Sequence, residues 1–324
     1  MITTYSHEPG GRLVKRDGIG GVPKDIVWFD LYNPTEDEEK ALEQLLAIDI
    51  PTKGEMHRIE VSSRLYSENG AVFMIGSLPA RSESDEPEVG PVTFVLTADV
   101  LVTVRYHEPR AFITFPARAE TTPVGCSDGA TVFVGLMEAV VDRLADLLEQ
   151  LSRDVEAGSH NIFRRAERKR LRGRTFQDVL IMTGRKGEAI SRFRDSLLTI
   201  ERMVGFLLRT GLARKRDDDF LLRLKTLAKD ARALSDHAVF LSQKINFLLD
   251  ATLGMVNIEQ NTIIKIFSIA AVTFLPPTLI ASIYGMNFKV IPELQWDYGY
   301  PIAIFMMVLS AALSLWYFKR NNWL

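Results

Sequence analysis

The tripeptide Gly285–Met286–Asn287 is the part of the sequence whose residue types suggest a ligand site. Glycine permits the backbone turn that ends a helix. The side chain of Asn287 offers a neutral carbonyl oxygen to a ligand that approaches this turn. A tripeptide alone carries little information, so its meaning depends on the elements that position it.

Two uncharged segments near the C-terminus predict membrane-spanning helices. The first covers 23 residues between Lys265 and Lys289, and the second covers 21 residues, Tyr298–Phe318. At about 1.5 Å per residue, both approach or exceed the roughly 30 Å of a hydrocarbon core. Buried helices of a soluble protein are the alternative, but two such segments so close together disfavour it. We predict spans at 265–288 and 298–318, with the tripeptide at the end of the first.

The charges that flank these segments predict their orientation. Lys265 precedes the first span, and Lys319 and Arg320 follow the second. Because positive residues concentrate on the cytoplasmic side, both termini are expected inside and the loop 289–297 outside. The N-terminus has no apolar core of a signal peptide. The prediction is a multi-pass protein of the cell inner membrane, with a short cytoplasmic tail at 319–324.

The sequence pattern of residues 1–125 predicts a cytoplasmic α/β domain. A capping-box pattern, Thr35 with Glu38, starts a helix that runs to about Leu46. The other predicted elements are β-structures: a strand at Ile26–Leu31, a hairpin at Arg64–Leu78 that turns at Asn69-Gly70, and a hairpin at Val92–Tyr106.

The sequence from residue 126 to the first span predicts helices. Residues 126–215 form a predicted helical region with breaks near Gly158, Gly173 and Gly211. Residues 216–264 form a predicted stalk helix, because no proline interrupts the chain from there until the first span. One helix of about 90 Å would therefore run from the cytoplasmic part into the membrane.

Two stripes follow this long helix at alternating spacings of three and four residues. The first is mainly apolar and predicts packing against helices of sister subunits: Leu234, Ala238, Leu241, Ile245, Leu248, Thr252 and Met255. The second is small or polar nearly throughout, and its part in or near the first span is Asn261, Ile264, Ser268, Ala271, Leu275, Thr278 and Ser282. It indicates either close helix packing through small residues or a pore wall built from several copies.

Composition disfavours several other classes of protein. The net charge is −2, whereas a nucleic-acid-binding domain normally has an excess of basic residues. The single cysteine, Cys126, allows no intrachain disulfide. No phosphate-binding GxxxxGK[ST] motif is present, and five scattered histidines form no catalytic metal motif. We predict no enzyme, no cofactor and no nucleic-acid partner. The basic run from Arg164 to Arg174 reads as a solvated helix face, with anionic lipid or nucleic acid as the alternatives.

The C-terminal motifs together resemble the CorA family of magnesium transport proteins. The resemblance is carried by Gly285–Met286–Asn287 at the outer end of the penultimate span and by four flanking segments: Asn257–Asn261, Phe274–Thr278, Pro292–Leu294 and Tyr317–Leu324. It is strongest from about Gln243 onward. It implies an α+β membrane protein with an N-terminal α/β cytoplasmic domain, a long stalk helix that continues into the first of two transmembrane helices, and a homopentameric pore.

The same resemblance implies a function and roles for particular residues. Mg²⁺ is the expected cargo, with Co²⁺ and Ni²⁺ also accepted, and Gly285, Met286 and Asn287 form the outer selectivity site. Asn261 would lie in the inner part of the pore. Asp250 falls where some members hold regulatory Mg²⁺, and a solvated stalk residue is the alternative. Membrane lipid, divalent cations and other copies of the chain are the expected partners.

The chemistry of Mg²⁺ fits this assignment. The ion loses its inner waters reluctantly, so neutral oxygens that hydrogen-bond the hydrated ion can select it without trapping it. Ile264 and Leu275 would form apolar constrictions that gate by dewetting. Two alternatives stay open: a membrane-anchored oligomeric sensor or scaffold, and a zinc transporter of the same architecture, against which Met286 argues.

Overall fold

The computed structural model describes residues 1–8, 12–17, 25–57, 60, 64–80, 87–122, 125–167, 176–214, 216–287, 296–321 and 323. They divide into two units, residues 1–249 and residues 250–324.

A seven-stranded sheet forms the base of the first unit. Its strands are β1 (Ile2–Glu8), β2 (Arg12–Asp17), β3 (Ile26–Tyr32), β4 (Leu65–Glu68), β5 (Ala71–Ala80), β6 (Glu88–Leu96) and β7 (Leu101–Arg105). Their order in the sheet is β2-β1-β3-β7-β6-β5-β4. The β3–β7 pair is parallel, and all other neighbours are antiparallel.

Both predicted hairpins are confirmed. Strands β4 and β5 are joined at Asn69 and Gly70, whose φ angles of 50° and 81° suit a tight hairpin turn. Strands β6 and β7 pair with Leu96 opposite Leu101. The first two strands were not predicted, because β1 is rich in polar residues and lacks an apolar alternation. Thr3, Thr4 and Ser6 are nevertheless buried in the sheet.

Seven α-helices and one 3-10 helix occur in the described chain. They are α1 (Glu36–Leu46), the 3-10 helix (Glu55–His57), α2 (Ala111–Thr121), α3 (Gly129–Glu167), α4 (Phe176–Leu207), α5 (Gly211–Arg214), α6 (Asp218–Tyr284) and α7 (Gly299–Arg320). The capping box of α1 is present: the Thr35 hydroxyl accepts from the Glu38 N–H at 3.3 Å, and the Glu38 carboxylate accepts from the Thr35 N–H at 3.0 Å.

The predicted helix breaks have three different outcomes. The break near Gly211 is confirmed, because α4 ends at Leu207 and α5 begins at Gly211. The break near Gly158 is wrong, because α3 continues through this residue. One glycine costs a helix only about 1 kcal/mol, which the packing of a 39-residue helix outweighs. Gly173 lies outside the described residues.

The sheet separates two apolar cores, as the alternation of side chains along a strand requires. Trp28 and Phe94 lie in the larger core, which also contains residues of α2, α3, α4 and α6. Phe29 and Val102 lie in the smaller core with Leu42 of α1. The first unit is therefore a three-layer structure with α1 on one side of the sheet and the longer helices on the other.

The apolar stripe at the start of α6 is buried within the chain itself. Ala238, Leu241, Ile245 and Leu248 are each at most 2% exposed and belong to the larger core. A methyl carbon of Ile245 lies 3.3 Å from the position that a Cβ would take on Gly187 of α4. The prediction that these residues pack against sister subunits is wrong, because a heptad-like stripe does not specify which chain covers it.

Acidic residues fix the start of α6. The Asp217 carboxylate accepts a hydrogen bond from the Phe220 N–H at 3.0 Å, and Asp218 and Asp219 occupy the first turn. Two ion pairs join this end of α6 to the α3 segment: Arg216 with Asp128, and Arg223 with Glu138 at 2.8 Å. Negative charge in the first turn stabilises the helix through its dipole.

A buried ion pair holds the centre of the sheet. Asp30 of β3 and Arg105 of β7 form a two-point contact, with the shortest distance 2.8 Å and side-chain exposures of 5% and 7%. Asp30 also accepts from Thr103 at 2.8 Å. The pair satisfies two charges that burial would otherwise penalise.

We therefore expect Asp30→Ala to destabilise the first unit strongly. Removal of one partner leaves the Arg105 charge buried and unpaired, which costs about 3–5 kcal/mol of unfolding free energy. Denaturant titration of the detergent-solubilised protein by circular dichroism measures this loss. Glu149→Ala removes one member of an exposed pair with Arg153 and should cost about 0.5 kcal/mol or less. Equal effects of both variants would contradict the expectation.

His107 makes the same unit sensitive to acid. Burial lowers the pKa of His107 below its ordinary value of 6.5, and its Nε2 lies 3.0 Å from the Leu78 carbonyl oxygen. The unfolded chain then binds more protons than the folded chain between the folded pKa and 6.5. Stability should fall as the pH drops below about 6.5. Thermal midpoints between pH 7.5 and 5 should depend less on pH in His107→Gln than in the native protein, and an unchanged dependence would contradict the expectation.

Candidate functional site

The second unit contains the two predicted membrane spans. Helices α6 and α7 are long and apolar enough to cross a membrane. The predicted continuity from the stalk into the first span is confirmed, since α6 is a single helix from Asp218 to Tyr284. The second span, predicted at Tyr298–Phe318, corresponds to α7.

The tripeptide lies immediately after the last residue of α6. The Gly285 N–H still donates to the Ala281 carbonyl at 2.9 Å, whereas the Met286 N–H donates to Ile283 at 3.3 Å, which tightens the last turn. Gly285 does not adopt a left-handed conformation. A Cβ at this position would lie 3.1 Å from the Ala281 oxygen, so the close approach of the backbone, rather than a positive φ, favours glycine here.

Met286 and Asn287 are exposed beyond this turn. Met286 is 48% exposed, and Asn287 is the last described residue before the gap at 288–295. The tripeptide therefore presents one flexible apolar side chain and one amide at the end of the helix. Lys289 and Glu293 of the predicted external loop lie outside the described residues.

All seven predicted pore-lining residues are exposed in the single chain: Asn261, Ile264, Ser268, Ala271, Leu275, Thr278 and Ser282. The two predicted constriction residues, Ile264 and Leu275, are 60% and 71% exposed. Phe267 and Phe274 are equally exposed, at 71% and 68%. This face of the single chain is therefore accessible to water or to other helices. Exposure alone does not distinguish it from the apolar residues beside it.

The buried side of α6 is different from this face. Ile269 and Thr273 are 8% and 7% exposed, and Ala303 and Phe318 of α7 are also buried. At about 100° per residue, Thr273 lies about 140° around the helix from Ser268. The small and polar stripe is thus directed away from the side that is covered within the unit.

Thr278 contributes less polarity to the stripe than its residue type suggests. Its hydroxyl donates to the Phe274 carbonyl at 2.7 Å within the same helix. Only the oxygen lone pairs remain for a ligand. Thr278 therefore offers only an acceptor to a ligand on this face.

Basic and aromatic residues meet at one end of the two spans. The Lys265 ammonium lies 5.5 Å from the centre of the Trp323 ring, and the Arg320 guanidinium lies 5.2 Å from the Trp316 ring. Lys319 and Arg320 also occupy the last turn of α7. The start of the first span and the end of the second therefore lie at the same level, as a two-span hairpin requires.

Asp250 is exposed on α6. Among the described residues, no group of three or more His, Cys, Asp or Glu side chains is placed to hold a metal ion. A regulatory site that uses Asp250 would therefore need ligands from beyond the described part of this chain. Its role stays a prediction.

A family model described as "CorA-like Mg2+ transporter protein" matches residues 23–320. The chain belongs to the CorA family. A magnesium transport protein CorA from Wolinella succinogenes is 33% identical, with 100% of both chains covered. A magnesium transport protein CorA from Pasteurella multocida is 32% identical, also over 100% of both chains. The predicted family resemblance is confirmed.

Two solved structures share the fold of this chain. The complete structure of the CorA magnesium transporter from Methanocaldococcus jannaschii has a TM-score of 0.78 at 18% identity and covers 100% of this chain and 99% of that chain. The full-length CmaX protein has a TM-score of 0.70 at 16% identity. With the two apolar helices, the CorA assignment indicates a membrane protein.

The sequence missed two features of this CorA chain that depend on the fold. The contact between Lys265 and Trp323 joins residues far apart in sequence, and only their charge and ring types hinted at it. The buried hydroxyl of Thr273 could not be predicted, because Thr273 belongs to neither stripe and its burial depends on the packing of the spans. The basic run from Arg164 to Arg174 has no described side chains, so its role stays a prediction.

The pore-wall interpretation predicts a difference in water access between neighbouring residues. Ser268→Cys should react quickly with a water-soluble, membrane-impermeant methanethiosulfonate, because its side chain would face the aqueous path. Phe267→Cys should react slowly, because the adjacent position would face lipid or protein. The modification rate in liposomes, measured by mass shift, tests this.

The natural cysteine does not interfere with this measurement. Cys126 is 0% exposed, and burial raises the pKa of its thiol to about 12. The thiolate, which is the reactive form, is therefore scarce at pH 8. Equal rates at residues 267 and 268 would favour the alternative in which the small residues only pack helices together.

Proposed function

We propose that this CorA protein carries Mg²⁺ across the membrane, into the cell, as a homopentameric channel. The observation that carries the proposal is the exposed, mainly small and polar stripe of α6, which is followed by the exposed Asn287. The chain also matches relatives named magnesium transport protein CorA over their full length. Co²⁺ and Ni²⁺, which resemble Mg²⁺ in charge and hydration, are proposed as further cargo.

Several copies are needed because two helices cannot enclose a pore. Each copy would contribute the stripe of α6 to the wall and direct α7 to lipid, consistent with the apolar exposure of α7 at Phe305 and Val308, which are 65% and 63% exposed. The basic ends at Lys265 and Arg320 would face the cytoplasm. This orientation gives an inner-membrane protein with both termini inside.

Selection is proposed to occur at the turn of Gly285, Met286 and Asn287. A ring of Asn287 amides would hydrogen-bond the hydrated ion through neutral oxygens, which bind it without removing its inner waters. Asn261 would provide a similar ring at the inner end. Ile264 and Leu275 would form the apolar constrictions that close the path by dewetting.

The membrane potential would supply the driving force. Moving one charge through 100 mV is worth about 2.3 kcal/mol, so a divalent cation gains about 2 × 2.3, or 4.6, kcal/mol. This is sufficient for inward movement without nucleotide hydrolysis.

Asn287→Ala tests the selectivity turn. Uptake of Mg²⁺ into proteoliposomes under an inside-negative potential should fall about tenfold or more, because loss of a hydrogen-bonding group costs about 1–3 kcal/mol. Asn321→Ala makes the same chemical change at the exposed C-terminal end of α7 and should leave uptake unchanged. Both variants are first checked for an intact oligomer.

The outcomes separate the proposed function from its alternatives. If Mg²⁺ uptake is as fast in Asn287→Ala as in the native protein, the turn does not select the ion, but the proposal that the protein transports Mg²⁺ is retained. Uptake of Zn²⁺ in strong preference to Mg²⁺ would favour the zinc transporter. A folded oligomer that moves none of these ions would favour the sensor or scaffold.

A further inference from the structure

Two adjacent prolines interrupt the backbone hydrogen bonding of α6 within its apolar part. Pro276 and Pro277 lie inside the helix. Proline has no N–H group to donate to the carbonyl four residues earlier. The carbonyl oxygens of Val272 and Thr273 therefore lack their helical donors. In hydrocarbon such groups need another donor, which neighbouring side chains or ordered water supply.

The hydroxyl of Thr273, one turn before this proline pair, also lacks a partner. Thr273 is 7% exposed, and its Oγ1 makes no hydrogen bond within the part of the chain that the structure describes. Thr262 of the same helix behaves as a helical threonine usually does, because its hydroxyl donates to the Ile258 carbonyl at 2.9 Å. Among the described residues of α6, the hydroxyl of Thr273 is the one that is buried without a hydrogen-bond partner.

Three other hydroxyls of the second unit are not available to replace the donors that the prolines remove. The Thr278 hydroxyl donates to the Phe274 carbonyl at 2.7 Å. On α7, the Ser310 hydroxyl donates to Met307 at 2.9 Å, and the Ser314 hydroxyl donates to Ser310 at 3.0 Å. Each of these protons is used within its own helix. The two freed carbonyls therefore receive no hydrogen bond from these hydroxyls, and the Thr273 hydroxyl has no acceptor for its proton among the described residues.

We propose that a water molecule binds to α6 at this point. It accepts a hydrogen bond from the Thr273 hydroxyl and donates its two protons to the carbonyl oxygens of Val272 and Thr273. This gives about three hydrogen bonds, the usual number for a buried water. One water thus satisfies the hydroxyl and both carbonyls.

The water would make α6 easier to bend at the proline pair. A bridge through water replaces two direct backbone bonds, and sharp helix bends occur where proline or water interrupts the hydrogen-bond ladder. Leu275 lies immediately before the pair and is 71% exposed. A bend here would shift Leu275 relative to the turn at Gly285. This consequence for ion flux rests on the proposed function, whereas the water site does not.

High-resolution cryo-electron microscopy of the full-length oligomer in nanodiscs tests the site directly. The expected result is water density within hydrogen-bond distance of Thr273 Oγ1 and the two freed carbonyls. The density should be lost in Thr273→Val and kept in the matched control Thr262→Val, whose hydroxyl is already used within the helix. A Thr273 hydroxyl bonded to a protein group of another copy, or density unchanged in Thr273→Val, would overturn the proposal.

A double-variant cycle tests the coupling between the threonine and the prolines. Thr273→Val should lower the thermal midpoint of the native oligomer by about 2–4 °C, as expected for one lost hydrogen bond. In the Pro276→Ala/Pro277→Ala background, two new backbone N–H groups donate to the carbonyls of Val272 and Thr273. Adding Thr273→Val to this background should therefore change the thermal midpoint little. Equal shifts in both backgrounds would overturn the proposal.

Flux measurements distinguish this proposal from the proposed function. If the native oligomer moves no Mg²⁺ but the water is present and the cycle shows coupling, the proposed transport function is rejected and the proposed water site is supported. If uptake occurs but the water is absent, the site fails and transport stands.

Discussion

A polypeptide that enters hydrocarbon must satisfy its own backbone hydrogen bonds, and this constraint determines the second unit of the protein. The described part of that unit is helical except at residues 285–287, at residues 296–298 and at the C-terminus. The same constraint explains why Pro276 and Pro277 are the most unusual residues of α6, since they remove two of its donors. In a helix exposed to water, solvent would donate to the carbonyls that a proline pair frees.

The two units use α6 in different ways. Its first part carries a stripe that the core of the first unit buries, at Leu241 and Ile245 for example. Its last part is exposed on most sides, because α7 can cover only one of them. A helix that is apolar on most of its surface, with one small and polar face, suits contact with lipid and sister helices on most sides and with a narrow aqueous path on one. This is the physical basis for a multimeric pore.

Local signals made much of the fold predictable. Asn69-Gly70 specified a hairpin through its positive φ angles, and Thr35 with Glu38 specified a helix start through two hydrogen bonds. Neither signal depends on distant residues. The first two strands lacked such a signal, because burial of Thr3 and Thr4 follows from sheet packing rather than from local sequence. For the same reason, the stripe at Ile245 showed the need for a partner but did not identify it. At the candidate site, the sequence identified the turn that ends α6 at Gly285, but the close approach of the Ala281 oxygen follows from the three-dimensional structure.

The initial rate of Mg²⁺ entry into proteoliposomes at a series of imposed potentials measures whether this CorA protein conducts a divalent cation down the membrane potential, as proposed above. If the proposed function is correct, entry increases as the interior becomes more negative and proceeds without nucleotide. Entry that is absent at every potential, from a protein verified as folded and oligomeric, would contradict it.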